Sequence, residues 1–194
     1  KNGWSRNQTT LLTDLKVLFR SSKNMDKFIC DREKYTLSGQ TGDSVCLPVL
    51  LSDSSLPKEL EIEGNVLSLK TEFHVTLVAM GKIIKKYEVT DPNFIEKVIA
   101  DFCQFVQENP VELIRYRDEY RFMAENERRT VVVMCDVSNL DKFFEQLNKK
   151  YSLGVECPPT HVTLYTLQPN VGIFMVDSGD MQKLTKVITA PVKL

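Results

Sequence analysis

This 194-residue chain contains only two histidines, and both stand in the same tetrapeptide: His74-Val75-Thr76-Leu77 and His161-Val162-Thr163-Leu164, 87 residues apart. A β-strand repeats its side-chain direction every two residues. In a strand, therefore, His and Thr of each copy share one face while Val takes the other. Each copy then offers an imidazole beside a hydroxyl, anchored by an apolar residue. Two such strands facing one hollow would present two imidazoles and two hydroxyls, a set suited to cleaving a phosphodiester. One histidine (His74 or His161) would serve as general base on water or a ribose hydroxyl and the other as general acid on the leaving oxygen. The imidazole titrates near neutrality and fits either role. Thr76 and Thr163 would hydrogen-bond the non-bridging phosphate oxygens, where charge must be held. Neither a metal nor a cofactor is needed. The plain alternative is two structural strand histidines, against which the shared tetrapeptide weighs.

The surrounding elements must position these groups. Residues 72–80 form a β-rich run closed by Gly81, and residues 160–167 read as a second strand after the Pro158-Pro159 break. Residues 83–89 read as a hairpin partner of the first, and 171–176 as the neighbour of the second. Strands are also expected at 45–51 and 59–63, two or three more over 111–136 with a turn at Glu125-Asn126-Glu127, and a last one at 187–194. Phe94, Ile95, Val98, Ile99, Phe102, Phe105 and Val106 make one apolar stripe of a helix opened by Thr90-Asp91-Pro92 and ended at Asn109-Pro110. Leu140, Phe143, Phe144 and Leu147 mark a second helix, with Ser138-Asn139-Leu140-Asp141 as a capping box. Short helices are expected at 9–19 and 178–186. The order indicates an α+β fold with two pseudo-symmetric lobes, antiparallel sheets lining a central cleft and helices packed outside. Residues 1–46 read as an N-terminal extension with a short helix and 47–194 as the domain proper.

The paired motifs and their strand–helix order resemble the two-histidine phosphoesterase superfamily, which includes the RNA ligase-like cyclic phosphodiesterases. The likeness covers residues from about 45 to 194. It implies metal-independent hydrolysis of a nucleotide or RNA-end phosphodiester, whether a 2′,3′-cyclic phosphate or a 2′,5′- or 3′,5′-linked oligonucleotide. The alternative is a non-catalytic nucleotide- or RNA-binding module using the same cleft. Some members of that superfamily carry an arginine shortly after the second motif. Here Leu164 to Val176 contains no Arg or Lys.

Other residues are candidates for substrate contact. Tyr165, two residues past Thr163, is expected on the motif face, on phosphate, on a base, or as plain sheet surface. Lys82, with Lys85 and Lys86, follows the first motif and either draws in an anion or forms a solvated face. Tyr116, Tyr120 and Phe122, interleaved with Arg117 and Arg121, would make a charged base-stacking platform if they reach the cleft. No phosphate-cradling glycine loop is present, and a serine triad would need a spare histidine. A two-histidine zinc site lacks carboxylates at ligand spacing.

Composition sets bounds. A net charge of −1 argues against long duplex nucleic acid, which asks for a strong positive excess. A nucleotide, a short oligonucleotide or an RNA end remains suitable. No run approaches transmembrane length, and the polar start, Lys1-Asn2-Gly3-Trp4, shows no secretory signal. The five cysteines are odd in number and scattered, without a Cys-x-x-Cys, so reduced thiols in a cytoplasmic monomer are expected rather than a disulfide framework.

Overall fold

A computed structural model describes residues 27–30, 34–38, 42–51, 56–169 and 171–189. The helix expected at 9–19 and the end of the strand expected at 187–194 lie outside the described residues. The fold is α+β: ten strands, antiparallel in every pairing, and four helices among the described residues. In chain order these are β1 (Lys27–Ile29), β2 (Tyr35–Ser38), β3 (Ser44–Val49), β4 (Glu59–Ile62), β5 (Asn65–Leu69), β6 (Phe73–Ala79), α1 (Met80–Lys86), α2 (Phe94–Glu108), β7 (Leu113–Glu125), β8 (Arg128–Val137), α3 (Leu140–Tyr151), β9 (His161–Thr166), α4 (Ser178–Leu184) and β10 (Thr185–Ile188). Across the sheet the order is β1-β2-β3-β6-β9-β8-β7-β10, with the β4–β5 hairpin joined to β9. The two motif strands, remote in sequence, are thus sheet neighbours, paired through Val75 and Val162.

One face of the sheet carries the main core. Phe94, Val98, Phe102 and Phe105 of α2 and Leu140, Phe143, Phe144 and Leu147 of α3 pack with Val75 and Leu77 of β6, Val131, Val133 and Cys135 of β8, and Val162 of β9. The rings of Phe102 and Phe143 meet edge to face, with centroids 5.2 Å apart, a geometry that aromatic quadrupoles prefer. Removing a fully buried phenylalanine of this kind costs about 3–5 kcal/mol. On the other face Met123, Val132 and Met134 are covered by Ile173 and Met175.

Several expectations are corrected. The boundary drawn at residue 46 falls within β3, and β1 and β2 continue the same sheet. Tyr35 of β2 is buried in the main core, and its Oη hydrogen-bonds both the carbonyl and the amide of Val111. Residues 83–89 do not form a hairpin strand. Residues 80–86 are α1, because Met80 and Ile83, three apart, both reach the core from one helical face. A Cβ at Gly81 would collide with the Asp43 carboxylate, so glycine lets β3 and α1 approach closely. Ser138 does not cap α3. Its Oγ donates to the Pro110 carbonyl and accepts from the Glu112 amide, while Asn139 takes the cap position with φ +55°. Residues 171–176 are not a strand but an irregular strap lying over the second motif. The final strand begins at Thr185 and pairs with β7.

The cysteine expectation is also corrected: Cys30 and Cys103 form a disulfide across 73 residues. Folding brings the β1–β2 connection onto α2, so the pair is close in space and invisible in sequence spacing. Cys46 and Cys135 are free and buried, and Cys157 is free and exposed. Among the described residues, no helix is long and apolar enough to cross a membrane.

Candidate functional site

A pocket of about 600 Å³ opens on the sheet face opposite α2 and α3. His74, Thr76, His161 and Thr163 all line it, as period-two alternation requires with Val75 and Val162 turned into the core. The antiparallel pairing of Val75 with Val162 sets each motif histidine opposite the other motif's threonine. Each motif is followed by a register shift at the same offset. Thr76 pairs with Cys46 and Val78 with Val45, leaving Leu77 as the extra residue. Thr163 pairs with Val132 and Tyr165 with Val131, leaving Leu164 as the extra residue. A β-bulge puts two residues of one strand against one of its partner and breaks the alternation. Leu77 and Val78 accordingly both enter the core, as do Leu164 and Tyr165.

The two histidines sit in different environments. His161 is buried, 6% exposed, beneath the strap. Its Nδ1 lies 2.9 Å from the Pro159 carbonyl and its Nε2 3.4 Å from the Ile173 carbonyl. Its ring is 6.2 Å from that of Phe174. Burial lowers the His161 pKa, while both carbonyls oppose the shift, because only the imidazolium can donate to two acceptors at once. His74 is half-buried, and its pKa is pulled down to about 4 by burial and then by the charges of Lys70 and His161. His74 is therefore neutral at pH 7, whereas the polar contacts of His161 suit the protonated ring.

The hydroxyls are placed by their neighbours. The Cys46 thiol lies between Ser38 Oγ, at 3.0 Å, and Thr76 Oγ1, to which it donates at 3.8 Å. Gly172 of the strap passes close to Thr163, where a Cβ would stand 3.7 Å from Oγ1. Directly after the strap, Asp177 pairs with Lys86 of α1, and its carboxylate also accepts from the Asp180 amide. Lys86 holds the Asp177 carboxyl below its usual range.

Of the accessory candidates, Lys82 lines the pocket and the others do not. Tyr165 is fully buried, and its Oη donates to the Pro57 carbonyl at 3.0 Å; the bulge at Leu164 turns it away from the motif face. Tyr120 is buried on the helix-covered face. Arg121 lies on β7, two strands from β9, and donates to Glu119 at 2.6 Å and Thr185 at 2.8 Å. Arg117 pairs with Asp136. The stacking platform is therefore not assembled: Tyr120 and Phe122 lie in the helix-side core, and both arginines are tied elsewhere.

The pocket contains cations that sequence reading missed. Lys70 enters at the end of β5, where its backbone amide bonds the Leu164 carbonyl. Arg128 enters at the start of β8. Alternation along β8 gives the signal, since residue 128 shares its face with Val132, the partner of Thr163. Asp43, Ser44, Ile173 and Phe174 complete the walls. No group of three or more His, Cys, Asp or Glu among the described residues is placed to hold a metal ion. Comparison with known proteins returns no matching family model, no matching curated protein and no matching solved structure.

Proposed function

We propose that the chain is a phosphodiesterase of the two-histidine type, hydrolysing a nucleotide or RNA-end phosphodiester without a metal. The observation that carries this reading is the convergence of both imidazoles and both motif hydroxyls on one pocket. The pocket serves as the central cleft. The antiparallel Val75–Val162 pairing and the matching bulges after Thr76 and Thr163 support two pseudo-symmetric lobes meeting at β6 and β9.

His74 acts as the base and His161 as the acid. The base must begin neutral, which the lowered pKa of His74 supports. The acid must begin protonated, which the Pro159 and Ile173 carbonyls favour. In the opening of a 2′,3′-cyclic phosphate, His74 removes a proton from water as it attacks phosphorus. His161, its Nδ1 held on the Pro159 carbonyl, gives the proton on Nε2 to the departing ribose oxygen in place of the long 3.4 Å contact with the Ile173 carbonyl, and the product is a monoester. Thr76 and Thr163 donate hydrogen bonds to the non-bridging oxygens as charge grows there.

The direct test is a panel of 2′,3′-cyclic, 2′,5′-linked and 3′,5′-linked nucleotides with product analysis, run with and without EDTA. Turnover that survives chelation is expected, and loss of activity on chelation would sink the metal-free mechanism.

The pH dependence follows from the same groups. In kcat/KM, which reports the free enzyme, activity is lost as pH falls through about 4, because His74 takes up a proton. It is lost again as pH rises through the His161 pKa, which lies below the ordinary 6.5. The optimum is therefore expected on the acid side of neutrality. In kcat both limbs move upward, because the bound phosphate anion favours the imidazolium. A kcat/KM optimum above pH 7 would reverse or remove this assignment.

A further inference from the structure

We propose that Cys46 is a positioning residue of the pocket: its thiol holds the Thr76 hydroxyl so that the hydroxyl proton points at the reacting phosphate. The inference rests on the phosphodiester reading of the pocket and deepens it, by giving the two motif threonines unequal parts.

Placement is the first argument. In β3, Val45 and Leu47 enter the helix-side core, so alternation sends Cys46 to the opposite face, where Thr76 lines the pocket. Cys46 and Thr76 are cross-strand partners. The Cys46 side chain is fully buried, yet among the described residues it belongs to neither apolar cluster. Polar groups stand beside it instead: Ser38 Oγ lies 3.0 Å from the sulfur, and Thr76 Oγ1 lies 3.8 Å from it. Hydroxyl, thiol and hydroxyl thus form a row across β2, β3 and β6. A hydroxyl has one proton to give and two lone pairs to accept with. When the thiol donates to a lone pair of Thr76, the Thr76 proton is left for the pocket. Ser38, donating to the sulfur, turns the S–H toward Thr76. A thiol is a weak donor, so the contact aims the hydroxyl more than it binds it.

The inequality of the two motifs is the second argument. The bulges after Thr76 and Thr163 fall at the same offset, so the outer neighbours of the two threonines occupy corresponding positions. Beside Thr76 that neighbour is Cys46; beside Thr163 it is Val132, whose side chain has nothing to donate. Val132 packs instead with Met134, Ile173 and Met175 in the smaller apolar cluster. The aimed hydroxyl is therefore the one on the His74 strand, while Thr163 is approached by Gly172 of the strap. A hydroxyl aimed in advance gives its hydrogen bond most strongly where charge grows, on the non-bridging oxygens. Cys46 thus acts on the transition state more than on the bound substrate.

The test is a pair of double-mutant cycles, read as kcat and KM on the substrate found in the panel, with circular dichroism to check the fold. Cys46→Ala is expected to lower kcat about three- to tenfold and to change KM by less than about twofold, the scale of one hydrogen bond. Cys46→Ser, which keeps a donor, should retain most of the wild-type kcat. In a Thr76→Val background Cys46→Ala should cost no further activity, whereas in a Thr163→Val background it should cost its full factor. A purely structural effect would cost the same in both backgrounds. That result, or a wild-type kcat in Cys46→Ala, would overturn the positioning role. Cys46→Val removes the donor while filling its space, and carries the same test if Cys46→Ala does not fold. If the wild-type chain turns over no member of the panel, the hydrolytic reading falls and the positioning role falls with it. If the wild type is active but both cycles are additive, the hydrolytic reading stands and only the part given to Cys46 is wrong.

Discussion

Replacing either motif histidine is expected to reduce phosphodiester hydrolysis by about 10²- to 10⁴-fold, the range that general acid–base groups contribute. His74→Ala is the simpler variant, because its ring is half-buried and bonded to no carbonyl that would be left unsatisfied among the described contacts. His161 is buried between the Pro159 and Ile173 carbonyls, so its removal leaves both acceptors without a donor. His161→Asn retains an N–H donor on a smaller side chain and separates proton transfer from packing. Two groups that act in one step are not additive, so the double variant should lose little beyond either single one. Steady-state rates on the substrate found in the panel, together with circular dichroism, make the measurement. Normal hydrolysis by folded His74→Ala and His161→Asn would remove the central proposal. Equal losses accompanied by unfolding would show only that His161 is structural, which is why the less buried His74 decides the matter.

Reduction of the Cys30–Cys103 disulfide, or Cys103→Ser, is expected to lower stability by about 2–4 kcal/mol, the range typical of a native bridge. The bridge ties the β1–β2 connection to α2 across 73 residues. Beside it, Tyr35 of β2 packs edge to face against Phe102 of α2, with ring centroids 5.1 Å apart. The loss should appear as a lower midpoint in urea. The bridge lies outside the pocket lining, so pocket chemistry should be little affected while the fold holds. A variant with unchanged midpoint would mean that Tyr35 and the strand pairing alone fix this edge. The pairing also changes the chemical picture of the chain. The expectation of a cytoplasmic chain rested partly on all thiols being reduced, and two of the five are not.

The sequence carried the centre of the site more clearly than its surroundings. His74, Thr76, His161 and Thr163 could be assigned to one face because side-chain alternation is a local property, readable over three residues. The apolar stripes of α2 and α3 were readable for the same reason. Tyr165 was misplaced by extending the alternation past a bulge, and a bulge depends on the pairing of two strands, which one strand's sequence does not record. Arg128 and Lys70 were overlooked because they reach the pocket from strands that flank β9, not from the motif strands. α1 was mistaken for a strand because Ile83, Ile84 and Tyr87 suit either period over so short a span. The strap at 171–176 is apolar enough to read as a strand, yet its Ile173 carbonyl serves His161 and its side chains cover Val132 and Met134. The disulfide joins residues whose proximity is purely tertiary.

The paired bulges have a consequence for how such a molecule can vary. Beyond His and Thr, each motif strand sends its next two residues inward, so neither strand can lengthen its own contact with a ligand. On the phosphodiesterase reading proposed above, reactivity would be confined to two short windows, and the other walls of the pocket come from α1, the β5 end, the start of β8 and the strap. Substitutions in those bordering segments would then retune ligand choice without disturbing the imidazoles. A change of one residue in length at Leu77 or Leu164 would instead rotate the following strand out of phase with its core.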